Sequence, residues 1–221
     1  FSALFLNMNS GVSPTFKLLL LGDCFTGKSS FIKRHLNGDF ETNYAPTLSV
    51  EVHTLKFHTT RGEILFNVWD TPGSGVTRDV YDQSNCALIM YDVTLESTYK
   101  QVVKLHGDIM NACEGIPIVF GGNKAEMDDR KVKPLRVVQP RKKLWRPADN
   151  LQCYDLSVKR EVNLGAPLLW LARKVVGDNE LMFVVNAPAP PEVTIDPDTL
   201  AQYARDLEVS AMVALPDDDE F

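Results

Sequence analysis

The segment that most narrows what this chain can fold into is Gly22-Asp23-Cys24-Phe25-Thr26-Gly27-Lys28-Ser29. It fits the pattern G-x-x-x-x-G-K-[ST], and both flanks suit it. A short apolar run, Phe16 to Leu21, precedes it, and Lys28 to Leu36 follows with helical spacing that puts Phe31, Ile32 and His35/Leu36 on one side. A glycine-rich turn between a strand and a helix aims successive backbone N–H groups, and the positive end of the helix dipole, at one point. A phosphate is what such a point attracts. Lys28 then supplies a charge for the β- and γ-phosphates, and the Ser29 hydroxyl is of the type that ligates Mg2+. The expectation is a nucleotide site.

The remaining pattern predicts the frame around it. Leu48 to His58 alternates (Val50, Val52, Leu55, Phe57), Ile64 to Trp69 alternates less regularly, and Thr59-Thr60-Arg61-Gly62 between them supplies a turn, a hairpin signature. Cys86 to Tyr91 and Ile116 to Phe120 are continuous apolar runs, as expected of strands covered on both faces of a parallel sheet. Thr98 to Met110 and Pro167 to Val176 read as helices, with a further helix and strand between Phe120 and Pro167. The fold class is therefore α/β: a mostly parallel six-stranded sheet with one antiparallel edge strand and helices on both faces. Residues 1–15 read as a disordered extension and 16–180 as the nucleotide-binding domain. Residues 181–221 read as an extended linker, stiffened by Ala187-Pro-Ala-Pro-Pro191, then an amphipathic helix opening at Asp196-Pro197 and an acidic tail.

Charge is divided along the chain. From Pro190 onward there are nine Asp/Glu and one Arg, so that of 29 acids and 23 Lys/Arg the first 189 residues keep 20 and 22. Arg130 to Arg146 is basic and free of acid, a solvated loop or a docking patch for an acidic partner. No aromatic platform accompanies it and the whole chain is acidic, so no direct nucleic-acid partner is expected. No apolar run reaches the roughly 20 residues that span a bilayer, and Phe1 to Met8 lacks the basic start of a signal peptide. Cys24, Cys86, Cys113 and Cys153 are scattered without metal-ligand spacing, and three lie in apolar stretches as buried thiols. The last residues hold no cysteine, so no prenyl anchor is expected. The chain reads as soluble and intracellular.

Three more motifs stand at expected strand ends, where ligands gather in such sheets: Asp70-Thr-Pro-Gly73, Asn123-Lys124-Ala-Glu126 and Ser157-Val158-Lys159. With these in this order, the chain resembles the small GTPases of the Ras superfamily, and within them the Ran branch that serves nuclear transport. The likeness runs from Phe16 to the C-terminus. Its most specific parts are Lys33-Arg-His-Leu36, Val50-Glu-Val-His53, Phe66-Asn-Val-Trp-Asp-Thr71, Asp129-Arg-Lys-Val-Lys133, Leu169-Trp-Leu-Ala-Arg-Lys174, Pro190-Pro-Glu-Val193 and Asp206-Leu-Glu-Val209. The resemblance implies that residues from Gly22 through Ser29 and Ser30 cradle the phosphates of GTP or GDP. It implies a first switch from Phe40 through Glu41, Thr42, Asn43, Tyr44, Ala45 and Pro46 to Thr47, with Tyr44 over the nucleotide. Ser29, Thr47 and, through water, Asp70 would hold Mg2+, and the Gly73 N–H would sense the γ-phosphate. Asn123, Lys124 and Glu126, with Ser157, Val158 and Lys159, would frame the guanine. Implied partners are nuclear import and export receptors, an exchange factor and an activating protein, and the implied location is nucleus and cytoplasm.

The departures from that family concentrate on the chemistry. Ser74 stands where the relatives have the glutamine that orients the attacking water, and the segment after it is shorter. Cys24 and Phe25 occupy positions that are ordinarily glycine, Glu126 replaces an aspartate, Val158 replaces an alanine, and residues around Leu144 to Asp149 are inserted. No catalytic residue is assigned. Slow, poorly stimulated hydrolysis is expected, and the alternative is a catalytically inactive binding module for transport receptors.

Overall fold

The computed structural model describes residues 13–38, 40, 46–74, 76–113, 115–132 and 150–184. Several expectations fall outside them: the N-terminal extension, Glu41 to Ala45, most of the basic stretch with the 144–149 insertion, the helix expected before the last strand, and the C-terminal linker, helix and tail. All described residues belong to one compact unit, Phe1–Val184.

In chain order the elements are β1 (Thr15–Gly22), α1 (Lys28–Asn37), β2 (Glu51–Thr59), β3 (Gly62–Asp70), a single 3₁₀ turn (Arg78–Tyr81), β4 (Cys86–Asp92), α2 (Glu96–Ala112), β5 (Ile118–Asn123), β6 (Leu151–Asp155) and α3 (Gly165–Val176). The six strands lie in the order β2-β3-β1-β4-β5-β6. Only β2 and β3 pair antiparallel, which makes β2 the antiparallel edge that the sequence pattern predicts. The continuous apolar runs are explained by coverage on both sides: every residue of β4 and of β5 is buried.

Alternation of side chains along the strands divides the core in two. On one face Leu18, Leu20, Phe66, Val68, Leu88 and Met90 meet Phe31 and Ile32 of α1 and Leu168, Leu171 and Ala172 of α3. On the other, Leu19, Leu21, Ile89, Tyr91 and Phe120 meet Val102, Leu105 and Ile109 of α2. Each face buries an apolar stripe that its helices could not hide alone.

Three details differ from the sequence pattern. The β2 ladder begins at Glu51 rather than Leu48: the Thr47 hydroxyl is held at Ser29, and Leu48 is left 88% exposed. Val52 and Leu55 differ in parity and so point to opposite faces of the sheet; Leu55 is buried and Val52 is half-exposed. Leu36 lies in the last turn of α1 and is exposed, whereas Phe31 and Ile32 carry that helix's packing.

Candidate nucleotide-binding site

Gly22, Asp70, Asp92 and Asn123 are the last residues of β1, β3, β4 and β5, and the register staggers them along one edge of the sheet: Leu20 pairs with Asp70, Gly22 with Met90, and Asp92 with Asn123. All four stand at carboxyl ends, where a parallel sheet collects its ligand-binding loops.

The first loop turns from β1 into α1 through left-handed Phe25 (φ 62°) and Gly27 (φ 94°). Thr26 is fully buried, and its hydroxyl donates to Asp23 O at 2.9 Å. The α1 N-terminus has no acid in its first turn and no side-chain cap at Gly27, so the helix dipole and its leading N–H groups remain suited to an anion. Lys28 is 7% exposed and its ammonium donates to Gly22 O at 2.8 Å and Asp23 O at 2.9 Å. Burial lowers its pKa, and the neighbouring Asp70 partly counters this. An apolar seat for a cation is favourable where a second anion joins it. Phe25, in a backbone conformation that a bulky residue resists at about 1–2 kcal/mol, turns its ring outward and is 60% exposed.

Beside Lys28 lies an oxygen cluster. Ser29 Oγ donates to Asp70 Oδ2 at 2.6 Å and stands 2.9 Å from Thr47 Oγ1. The other oxygen, Asp70 Oδ1, is buried without a hydrogen-bond partner among the described residues, and burial raises the Asp70 pKa. Two hydroxyls and a carboxylate with an unpartnered buried oxygen suit a hard divalent cation. The structure thus brings together all three residues assigned to Mg2+.

Gly73 is pressed onto the phosphate loop. A Cβ there would lie 2.3 Å from Cys24 Sγ and 2.4 Å from Cys24 N, so no other residue fits without moving backbone. Gly73, at the start of the segment that runs to Ser74, is thus in direct contact with Cys24 of the phosphate loop.

The third part holds the residues expected to frame the base. Asn123 is buried and works as a brace: its amide Nδ2 donates to Thr26 O at 2.9 Å, and its Oδ1 accepts from Val158 N at 3.1 Å. Gly27 makes room for it, since a Cβ at Gly27 would sit 2.4 Å from that Nδ2. Lys124, left-handed at φ 64°, pairs its ammonium with Asp92 Oδ2 at 2.6 Å. Asp92 was not singled out from the sequence; it is buried and also accepts from Thr94 N and Oγ1. Glu126 Oε2 is covered without a hydrogen-bond partner among the described residues, the condition expected of a carboxylate that accepts from a ligand's donors. Residues 157–162 close a small loop through the Ser157–Val162 bridge and the Arg160 N–H to Ser157 Oγ bond.

The four cysteines are free: Cys86 and Cys113 are buried, Cys153 is half-buried and Cys24 is exposed at the site. No group of His, Cys, Asp and Glu among the described residues has the arrangement of a metal cluster.

A parallel α/β sheet with an uncapped helix after its first strand, a buried loop lysine and a hydroxyl–carboxylate cluster beside it defines a P-loop nucleotide-binding domain. A model of the Ras family matches residues 17–177, and the chain belongs to that family of small GTPases, whose members bind GTP or GDP with Mg2+.

Proposed function

We propose that this chain is a Ran-like guanine-nucleotide switch acting in nucleocytoplasmic transport, with slow GTP hydrolysis. The observation that carries the switch reading is the meeting of Thr47 with Ser29, whose hydroxyl also donates to Asp70. Thr47 belongs to the segment assigned to the first switch, so its place beside the cation donors ties that segment to what the site holds. Mg2+ bound by Ser29 and Thr47, with Asp70 through water, would neutralise charge on the β- and γ-phosphates. Lys28 adds its own charge, and the N–H groups at the start of α1 orient the phosphates. Guanine preference rests on Glu126, whose covered oxygen suits a donor edge, and on the loop that Asn123 braces. A carboxylate one methylene longer than usual misplaces both of its bonds, which weakens affinity without abolishing it.

Slow hydrolysis follows from two features. Ser74 is too short to orient a water as glutamine does, and the Cys24 side chain fills space against Gly73 where an inserted arginine would have to reach. Such an arginine contributes on the order of 10³–10⁵ in rate where it fits. The assignment to transport is supported by sequence likeness: Val50-Glu-Val-His53, Asp129-Arg-Lys-Val-Lys133, Leu169-Trp-Leu-Ala-Arg-Lys174 and the acidic C-terminal segment after a proline-rich stretch. The partners so implied are import and export receptors and a dedicated exchange factor, met in nucleus and cytoplasm. Single-turnover hydrolysis with and without a Ran-type activating protein tests the catalytic half; large stimulation refutes it. Pull-down of import receptors with GDP-loaded and GTP-analogue-loaded protein tests the switch, and equal capture in both states refutes it.

A second reading, a binding module without turnover, is favoured by Ser74 and Glu126 together. Nucleotide content and exchange of the purified protein distinguish the two: affinity no better than micromolar with state-independent receptor binding favours the module.

A further inference from the structure

Arg34 belongs to the Lys33-Arg-His-Leu36 stretch that carries the resemblance, but neither the phosphate loop nor the base-framing motifs include it. It lies in the last turn of α1, its side chain only 13% exposed, and its guanidinium meets residues far along the chain. Nε donates to Val158 O at 3.3 Å and Nη2 to Lys159 O at 3.0 Å, two successive carbonyls of the base loop. Nη1 donates to Gly38 O at 2.6 Å and pairs with Glu161 Oε1 at 2.9 Å. The same group lies over the Phe40 ring, 5.6 Å from its centroid, at the start of the first-switch segment. Three carbonyls and a carboxylate thus converge on one planar cation, an arrangement that the rigid fork of arginine satisfies and the single point of lysine does not.

These bonds close a circuit. Arg34 holds Val158, the Val158 N–H holds Asn123, Asn123 holds Thr26 O, and Thr26 leads through Gly27 into the helix that bears Arg34. We infer that Arg34 is a positioning residue that fixes the base loop and the root of the first switch to one point on α1, so that base recognition and switch placement share a single anchor. Among the described residues its side chain bonds to the base loop, Gly38 and Glu161 and to neither the phosphate loop nor Ser29, Thr47 or Asp70, so its direct effect falls on the base rather than on the metal. The inference rests on the proposed guanine reading of the 157–162 loop and names what holds that loop.

The test uses the full chain with Arg34→Met and Arg34→Lys. The reporters are the amides of Val158, Arg160 and Val162, each bonded within the loop or to Asn123. In Arg34→Met their hydrogen exchange is expected to rise roughly tenfold, the factor for losing about one net charge-assisted hydrogen bond. Arg34→Lys, which retains charge and fold, is expected to fall between. Competition with a fluorescent nucleotide is expected to show the preference for guanosine over inosine diphosphate reduced by a similar factor in Arg34→Met, with the acceleration of release by EDTA unchanged. Unchanged exchange in both variants overturns the inference, whatever the nucleotide results. A drop in metal dependence with base preference intact also overturns it. Wild-type protein that binds no guanosine nucleotide refutes the guanine reading instead, and exchange at the three amides still decides whether Arg34 holds the loop.

Discussion

Removing the Asn123 side chain separates a structural brace from a group that merely touches a base. In Asn123→Ala, Thr26 O loses the donor now at 2.9 Å and Val158 N–H loses the acceptor at 3.1 Å. Thr26, Val158 and Asn123 are 0%, 1% and 4% exposed, so water does not readily replace either bond. An orphaned buried donor or acceptor costs about 1–3 kcal/mol, so the pair costs about 2–6 kcal/mol, with about 3 kcal/mol as the central expectation. For a domain of this size that is about 6–12 °C in Tm. Asn123→Asp keeps the shape and the acceptor for Val158 but turns a carboxylate oxygen toward Thr26 O, so it should destabilise at least as much. Urea unfolding of nucleotide-free protein, followed by far-UV circular dichroism, measures both. Variants within about 0.5 kcal/mol of wild type, the range of an ordinary surface change, would refute the brace.

Four other outcomes are expected. Glu126→Asp, by shortening the carboxylate, should tighten guanosine diphosphate binding about ten- to a hundredfold, the worth of one charged hydrogen bond, in nucleotide competition; unchanged affinity would mean that Glu126 already meets the base well. Thr47→Ala removes one hydroxyl of the cation cluster and should weaken the Mg2+ dependence of nucleotide release, read by titrating metal against release rate. Thiol titration near pH 7.5 should find Cys24 fast, because it is exposed, whereas burial pushes Cys86 and Cys113 up and Cys153 up to about 12; Cys24→Ser should abolish the fast phase. Burial lowers the His35 and His106 imidazoles below their ordinary 6.5, so the unfolded chain binds protons more readily than the folded one. Stability is then fully present above about pH 6.5 and falls as pH drops through 6.5 toward the lowered values. His35→Phe should flatten that slope between pH 7 and 5 while keeping the ring against Phe31, now 4.4 Å away.

What could be read in the sequence was whatever depends on period and on short motifs. The runs Phe16 to Leu21 and Cys86 to Tyr91 became strands because both faces are covered, and the hairpin closed at the predicted turn. The phosphate loop was legible because its chemistry is written in eight consecutive residues. Ser29 was legible in the loop motif and Thr47 and Asp70 by resemblance, whereas the side-chain contacts that bring the three together are tertiary and written in no local pattern. Strand entry at Glu51 and the exposure of Leu48 were not legible, because a tertiary bond from Thr47 overrides β propensity there. The contacts of Arg34 and Asp92 were invisible for a related reason. Arg34 falls in Lys33-Arg-His-Leu36, which carries the resemblance, yet two of its three carbonyl partners lie 124 and 125 positions away and its helical spacing does not show them. The outward ring of Phe25 likewise follows from a left-handed backbone that sequence alone only makes suspect.

Calorimetric titration of the isolated protein with GDP, and separately with a non-hydrolysable GTP analogue, in the presence and absence of Mg2+, tests the central claim most directly. One-to-one binding of both nucleotides is expected, tighter with the metal, with adenosine nucleotides bound far more weakly. Absence of heat with either guanosine nucleotide, or equal binding of ATP, would contradict it.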